Sequence, residues 1–189
     1  MSQENPNPIS RLPEMQEYLK SLRAILLDQA DHCERVCRSL GPFLDRVEEE
    51  LESHARSQSG GDGWLDFESP CEDSTVKTQR ATLKTMRATI EAMDLSSKTI
   101  RAAVLSNNGQ AIRLARECLK AAQRGLDEGR TAFKSAFAKT APDEEKIREC
   151  LNKAHREVQS TLSFSNQSLM LTRQEPPQTQ TPTPSDVPN

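Results

Sequence analysis

One spacing constrains this chain more than any other feature of its sequence. Over 36 residues, a residue suited to burial recurs every three or four positions, in ten steps. The average step of 3.6 residues is the period of an α-helix that carries one apolar stripe. An isolated helix of this kind is marginal in water, so the stripe predicts packing against other helices. It consists of Met15, Leu19, Leu22, Leu26, Ala30, Cys33, Cys37, Leu40, Leu44, Val47 and Leu51.

The same rhythm returns in three later segments, residues 75–105, 110–138 and 142–170. Each holds about 28–31 residues, or roughly 42–46 Å at the rise of an α-helix. Segments of equal length joined by short links favour antiparallel neighbours. The sequence therefore predicts an all-α fold, an antiparallel four-helix bundle of coiled-coil-like helices. The alternative is a pair of helical hairpins that closes only with a partner chain. The buried seams are expected to include Leu22, Leu26, Leu83, Ile90, Leu119 and Leu151.

Local signals predict where the helices begin and break. Pro13 suits the first turn of a helix. Gly41-Pro42 predicts a kink or a break, because proline lacks a backbone donor and clashes with the preceding turn. Asn107 is expected to cap the third helix and Thr140 the fourth, each as part of a capping box. Beyond Leu162 the fourth seam becomes polar, which predicts fraying of the helix end.

The bundle is expected over residues 11–172, between disordered ends at residues 1–10 and 173–189. The second of these ends is rich in proline and threonine, a composition that cannot bury a core. Residues 58–73 are dominated by glycine and acidic residues and predict a flexible loop. No apolar run approaches the roughly 20 residues that a membrane-spanning helix needs. We therefore expect an intracellular protein, cytoplasmic or nuclear, without a membrane span.

The net charge of −3 conceals a strong asymmetry along the chain. Residues 1–74 hold 16 acids and 7 bases, whereas residues 75–140 hold 5 acids and 13 bases. The simpler interpretation is internal pairing, in which the acidic first helix lies beside the basic second and third helices. Exposed ion pairs of this kind contribute about 0–1 kcal/mol each, but they help to select neighbouring helices.

The alternative interpretation is a basic face that binds nucleic acid or an anionic membrane through residues 77–139. The candidate residues of this face are Lys84, Arg87, Arg116 and Lys120. Single-stranded nucleic acid would require stacking aromatic side chains, and this region contains neither tyrosine nor tryptophan. The composition therefore argues against nucleic acid as the partner.

The five cysteines are odd in number and irregular in spacing, which favours reduced thiols over a disulfide framework. His32, Cys33 and Cys37, with His54 downstream, are the one arrangement that suggests a metal site. Cys33 and Cys37 also lie on the apolar stripe, and a structural zinc site needs four ligands at tighter spacing. We therefore expect core thiols and no metal.

No motif in the sequence indicates catalysis or a cofactor. The chain lacks a glycine-rich phosphate loop, a nucleophile elbow and the paired helical Glu-x-x-His motifs of a di-iron bundle. Its seven aromatic residues are too few for a large cofactor pocket. We expect a protein that is not an enzyme and that uses no cofactor.

A short aromatic segment lies inside the predicted loop. Trp64, Leu65 and Phe67 are flanked by glycines and acids, and Trp64 is the single tryptophan of the chain. They are candidates for a docking motif that becomes ordered on a partner. The other interpretation is that they cap one end of the bundle.

Together these features predict a non-catalytic interaction or scaffold protein, a subunit or adaptor that binds partner proteins through its helical faces. The basic face for nucleic acid or anionic membrane is the alternative function. The sequence does not identify the partner, and it leaves open whether the chain forms homo- or hetero-oligomers.

Overall fold

The computed structural model describes residues 12–59, 74–138 and 142–173, and this part of the chain is built from α-helices. The four helices are α1 (Leu12–Ser59), α2 (Ser74–Ser106), α3 (Gly109–Ala136) and α4 (Glu144–Arg173). The predicted all-α fold is confirmed. None of these helices combines the length and the apolar character needed to cross a membrane. The predicted disordered ends at 1–10 and 173–189, and nearly all of the predicted loop, lie outside the described residues, except that Arg173 is the last residue of α4.

The helices form an antiparallel bundle, as the sequence predicts, and the structure shows in addition that α2 occupies the central position. α2 packs against each of the other three helices, and α3 packs closely along α4. Among the described residues, α1 packs along α2, whereas its contact with α3 is made by long side chains. The rings of Phe43 on α1 and Phe133 on α3, for example, have their centroids 5.8 Å apart. The surface between α1 and α3 is therefore more open than the other helix contacts.

The main core lies where α1, α2 and α3 meet, and it contains most of the predicted stripe. Leu26, Leu83 and Leu119 are buried, as predicted. Leu22 and Ile90 are only partly buried, although they pack against this core. Leu151 is also partly buried, beside a smaller cluster around Ile147. These three residues are thus less buried than predicted.

The contact of α2 and α3 with α4 is built from small and hydroxyl-bearing side chains. Its buried polar residues include Thr89, Thr99, Thr161, Ser165 and Ser168, whereas the buried Ser97 of α2 instead donates a hydrogen bond to Glu34 of α1. The prediction that α4 frays beyond Leu162 was wrong, because the helix continues to Arg173. Leu162 itself is 40% exposed, and the polar residues around it form the buried seam instead. Short side chains suit this seam because they allow the helices to approach closely.

Pro42 lies inside a continuous helix, so the predicted break at Gly41-Pro42 is not observed. A proline removes the hydrogen bond to the carbonyl four residues earlier, here that of Arg38. Pro42 and Arg38 are both exposed, so water can reach that carbonyl. The cost of the proline is therefore small enough for flanking apolar contacts on the opposite side of α1 to hold the helix together.

Two predicted caps are displaced by one or more residues. The N-cap of α3 is Asn108, whose side chain accepts hydrogen bonds from the backbone of Gln110 and Ala111 at 3.0 and 3.2 Å. Asn107 instead takes a left-handed conformation with φ of 57°, which asparagine tolerates in a tight link. At the start of α4, Asp143 accepts from the backbone of Lys146 at 3.0 Å. The predicted cap Thr140 lies outside the described residues.

Candidate functional site

Ion pairs between α1 and α2 neutralise part of the protein's charge within the bundle. Three arginines of α2 each contact carboxylates of α1. Arg80 pairs with Glu52 at 3.0 Å. Arg87 pairs with Asp45 at 2.8 Å and also with Glu48. Arg101 lies 2.5 Å from Asp31 and 2.9 Å from Glu34. The acidic first helix therefore neutralises the arginines on this side of α2.

These contacts follow one antiparallel register with a repeat of seven residues. On α1 the repeat is Asp31, Arg38, Asp45 and Glu52, and on α2 it is Arg80, Arg87, Asp94 and Arg101. In this register Arg38 of α1 lies at the level of Asp94 of α2. At this position α1 carries the base and α2 the acid, the reverse of the other three positions. A slip by one repeat would bring like charges together, which disfavours the wrong alignment. The pattern thus helps to specify one alignment of the two helices.

The four predicted basic-face residues do not share one face. Arg87 lies in the contact with α1, and Lys120 pairs with Glu117 on its own helix at 2.8 Å. Met86, which packs against Gly129 of α3, is two residues from Lys84 and so about 200° around the helix from it. Lys84 therefore points away from α3, the helix that carries Arg116.

The predicted core thiols lie where their neighbours stabilise the neutral form. Cys33 is fully buried, and Cys37 donates a hydrogen bond to the carbonyl of Ile90 at 3.4 Å. Burial raises the pKa of Cys33, and it raises the pKa of Cys37 to about 11. Burial also raises the pKa of Cys118 to about 12. Thiols of this kind are poor nucleophiles and poor metal ligands, because both roles require the thiolate.

Within residues 12–59, 74–138 and 142–173, no group of three or more histidine, cysteine or acidic side chains is placed to hold a metal ion. His32 is exposed while the neighbouring Cys33 is buried, so the two side chains point in different directions. The predicted docking residues Trp64, Leu65 and Phe67 lie outside the described residues.

A second apolar stripe on α1 was missed in the sequence. Tyr18, Ile25 and Phe43 are 66%, 56% and 40% exposed. Of the predicted core stripe, Leu26, Ala30, Cys33 and Leu44 are buried, whereas Leu19 is 42% exposed, so the prediction was wrong for that residue. Ile25 and Phe43 are 18 residues apart, which is five turns of an α-helix, and Tyr18 precedes Ile25 by seven residues. All three therefore lie along one line of α1, and Phe43 shows that this line faces α3. The signal that could have revealed it is the recurrence at seven and eighteen residues.

Between α1 and α3 this stripe borders a surface groove. Its central part is lined by His32 and Val36 of α1, by Met93 of α2 at its floor, and by Gln123, Leu126, Asp127 and Arg130 of α3. Ile25 and Phe43 lie on the same line of α1 on either side of this central part. We refer to the surface from Ile25 to Phe43 on α1 and across to α3 as the α1–α3 groove. Its length along α1 is about 27 Å, or five helical turns.

The charged residues that border the α1–α3 groove are mainly basic. Arg116 and Arg130 lie on one line of α3, because they and Gln123 are spaced seven residues apart. On α3 they are Arg116, Lys120, Arg130 and Lys134, with Asp127 as the acid, and the α1 side is lined by His32. Arg130 lies 4.0 Å from Asp127, and Lys120 is paired with Glu117. The border of the groove is thus positive although the whole chain is negative.

Chemically, the α1–α3 groove offers apolar area flanked by cations. It has the length and shape to receive another helix, since the ridges of a helix fit into the furrow between two others. Apolar side chains exposed along a line are typical of helix-binding surfaces.

Comparisons of the chain with protein-family models, with curated proteins and with solved structures gave no match.

Proposed function

We propose that this chain is a non-catalytic interaction protein of the cytoplasm or nucleus that binds a helical segment of a partner protein in the α1–α3 groove. The observation that carries the proposal is the exposed line of Tyr18, Ile25 and Phe43 on α1. From Leu26 to Leu51 the core stripe of the same helix is covered by α2 and α3, and Phe43 is the residue of the second line that also packs inside the bundle, against Phe133. A helix with two apolar stripes has one for its own fold and one available for another chain.

The length of α1 supports the same proposal. α1 has 48 residues, whereas the other three helices have 28 to 33. The side chain of Arg23 reaches Asn107 at the link between α2 and α3, so the part of α1 before Arg23 extends beyond the end of α2. Residues 16–21 are all exposed. This projecting part lengthens the apolar line without contributing to the core.

Binding through this surface is tested by comparing two substituted proteins as baits. One carries Tyr18→Glu and Ile25→Glu, which place charges on the exposed line. The control carries Leu105→Glu, since Leu105 is 85% exposed and lies at the end of α2 rather than on α1. Both proteins should keep the wild-type helix content by circular dichroism, because all three residues are largely exposed.

We expect quantitative mass spectrometry to recover at least one protein with the wild type and the Leu105→Glu control but not with the Tyr18→Glu, Ile25→Glu bait. That protein is then purified, and its affinity for the three forms is measured by calorimetry. Burial of two introduced charges in an apolar interface should weaken binding by tenfold or more. Equal affinity for all three forms would contradict the proposal, as would an identical set of captured proteins.

A further inference from the structure

The α1–α3 groove differs from the contact between α1 and α2 in how its charges are neutralised. On the α2 side, Arg80, Arg87 and Arg101 each have a carboxylate of α1 within 3.0 Å. On the groove side, Arg116 and Lys134 of α3 make no ion pair with any described residue. Their positive charge is therefore available to another molecule.

The ion pairs between α1 and α2 indicate what kind of group would neutralise these cations. There, an apolar seam is flanked by arginines of one helix and carboxylates of the other, repeated every seven residues. The α1–α3 groove supplies only the apolar and basic half of the same arrangement. A helix with one apolar stripe and carboxylates on its flanks would complete it, because opposite charges at this spacing favour pairing of helices.

From this complementarity we infer that the occupant of the α1–α3 groove is an acidic amphipathic helix of a partner protein. The inference rests on the proposed function and adds the charge and shape of the partner. The cations border a furrow about 27 Å long, which a helix of about 18 residues would fill. They flank an apolar line rather than forming a continuous basic surface, which favours a helix over a nucleic-acid backbone.

Two synthetic helical peptides of about 18 residues test the charge preference directly. Both carry the same leucine stripe, and one has glutamate and the other lysine at the flanking positions. Fluorescence anisotropy with the full chain measures their affinities at low and at physiological salt. We expect the acidic peptide to bind at least tenfold more tightly than the basic peptide, with an affinity that falls as salt rises.

Substitutions in the protein locate the binding. Reversal of Arg116 and Lys134 to glutamate should weaken binding of the acidic peptide by tenfold or more and strengthen binding of the basic peptide. The matched control is Arg148→Glu, an exposed arginine of α4 on the side between α2 and α4, which should change neither affinity more than twofold. Ile25→Ser should weaken binding of both peptides by the same factor, because it removes apolar contact without changing the charge of the protein.

The outcomes separate this inference from the proposed function. If the basic peptide binds as tightly as the acidic one and Ile25→Ser weakens both, the groove still binds helices and only the charge preference is overturned. If neither peptide binds, both proposals fail.

A dimer by light scattering that Ile25→Ser dissociates would make a second copy of the chain the occupant and overturn the inference. Binding to vesicles of anionic lipid that the Arg116, Lys134 reversal abolishes would overturn it in favour of a membrane surface.

Discussion

Thr99 of α2 and Ser165 of α4 meet in the core with their hydroxyl oxygens 2.7 Å apart. Both side chains are fully buried. Thr99 donates its own hydrogen to the carbonyl of Leu95 at 2.8 Å, so Ser165 is the donor in the contact between the two helices. Every buried side-chain nitrogen or oxygen among the described residues has a hydrogen-bond partner. The seam between α2 and α4 thus combines short side chains with satisfied polar groups.

Thr99→Val should destabilise the protein, because it leaves the buried hydroxyl of Ser165 without an acceptor. The expected loss in the free energy of unfolding is about 1–3 kcal/mol. The double variant Thr99→Val, Ser165→Ala should lose less than the sum of the two single variants, since no orphaned donor remains. Urea unfolding of all four proteins measures this coupling. Additive losses would show that the two hydroxyls do not depend on each other.

Gly125→Ala and Gly129→Ala should differ in their effect on stability. A methyl group at Gly125 would lie 3.3 Å from Cβ of Glu157 and 3.6 Å from the carbonyl of Ala154, and neither atom can move easily. At Gly129 it would meet the sulfur of Met86 at 2.9 Å, but that side chain can rotate away. Alanine gains about 1 kcal/mol over glycine in helix propensity.

We therefore expect Gly129→Ala to be near neutral and Gly125→Ala to destabilise by about 1–2 kcal/mol, a cost typical of overpacking. Thermal unfolding followed by circular dichroism ranks the two variants. The reverse order would mean that α3 and α4 are less closely packed at Gly125 than the distances indicate.

Arg87→Glu should weaken the contact of α1 with α2, whereas Lys84→Glu should leave it nearly unchanged. Arg87 faces Asp45 and Glu48, so reversal of its charge places three carboxylates together. Because Arg87 is partly exposed, we expect a loss of only about 1 kcal/mol at low salt, and less as salt screens the charges. Lys84 makes no ion pair with a described residue and serves as the matched control.

The same two variants address the basic-face alternative. We expect no measurable binding of the wild type to DNA, RNA or anionic vesicles at physiological salt. Micromolar binding that falls steeply with salt and is lost in Lys84→Glu would support the alternative instead.

The thiols should differ in their rates of reaction with a thiol reagent at pH 8. Cys33 and Cys118 are fully buried and should react only when the bundle opens. Cys37 is partly exposed but has a pKa near 11, so it should react more slowly than an unhindered thiol. Mass spectrometry of the labelled protein, with the urea-unfolded chain as reference, gives each rate. Equally fast labelling of all three in the folded protein would contradict their placement.

Alkaline pH should destabilise the bundle through Cys37 and Cys118. Their pKa values of about 11 and about 12 in the folded protein lie above the ordinary value of 9.0. The folded state therefore holds these protons more tightly than the unfolded state, so the contribution is fully present below pH 9 and is lost as pH rises through 11 and 12. Urea unfolding between pH 8 and pH 11 should show a shallower decline for Cys37→Ala than for the wild type. Parallel declines would show that Cys37 does not titrate differently in the two states.

Much of the fold followed from periodicity, because burial of a helical stripe depends on spacing alone. The recurrence along α1 identified Leu26 and Cys33 as core residues, and the charge asymmetry indicated that α1 lies beside α2. These features are local or compositional, and the sequence determines them without knowledge of the neighbours.

Which residues are buried also depends on the side chains of the opposing helix, and this part was determined by the tertiary structure. Hydropathy assigned Leu162 to the seam of α4, but Thr161 and Ser165 are buried there because α2 and α3 present hydroxyls, alanines and glycines at short range. The same limit applies to the exposed line through Ile25 and Phe43. Its residues are as apolar as those of the core, and only the placement of α3 shows that the bundle leaves them uncovered. A sequence determines which stripes a helix carries, whereas the packing of all four helices determines which stripe remains free.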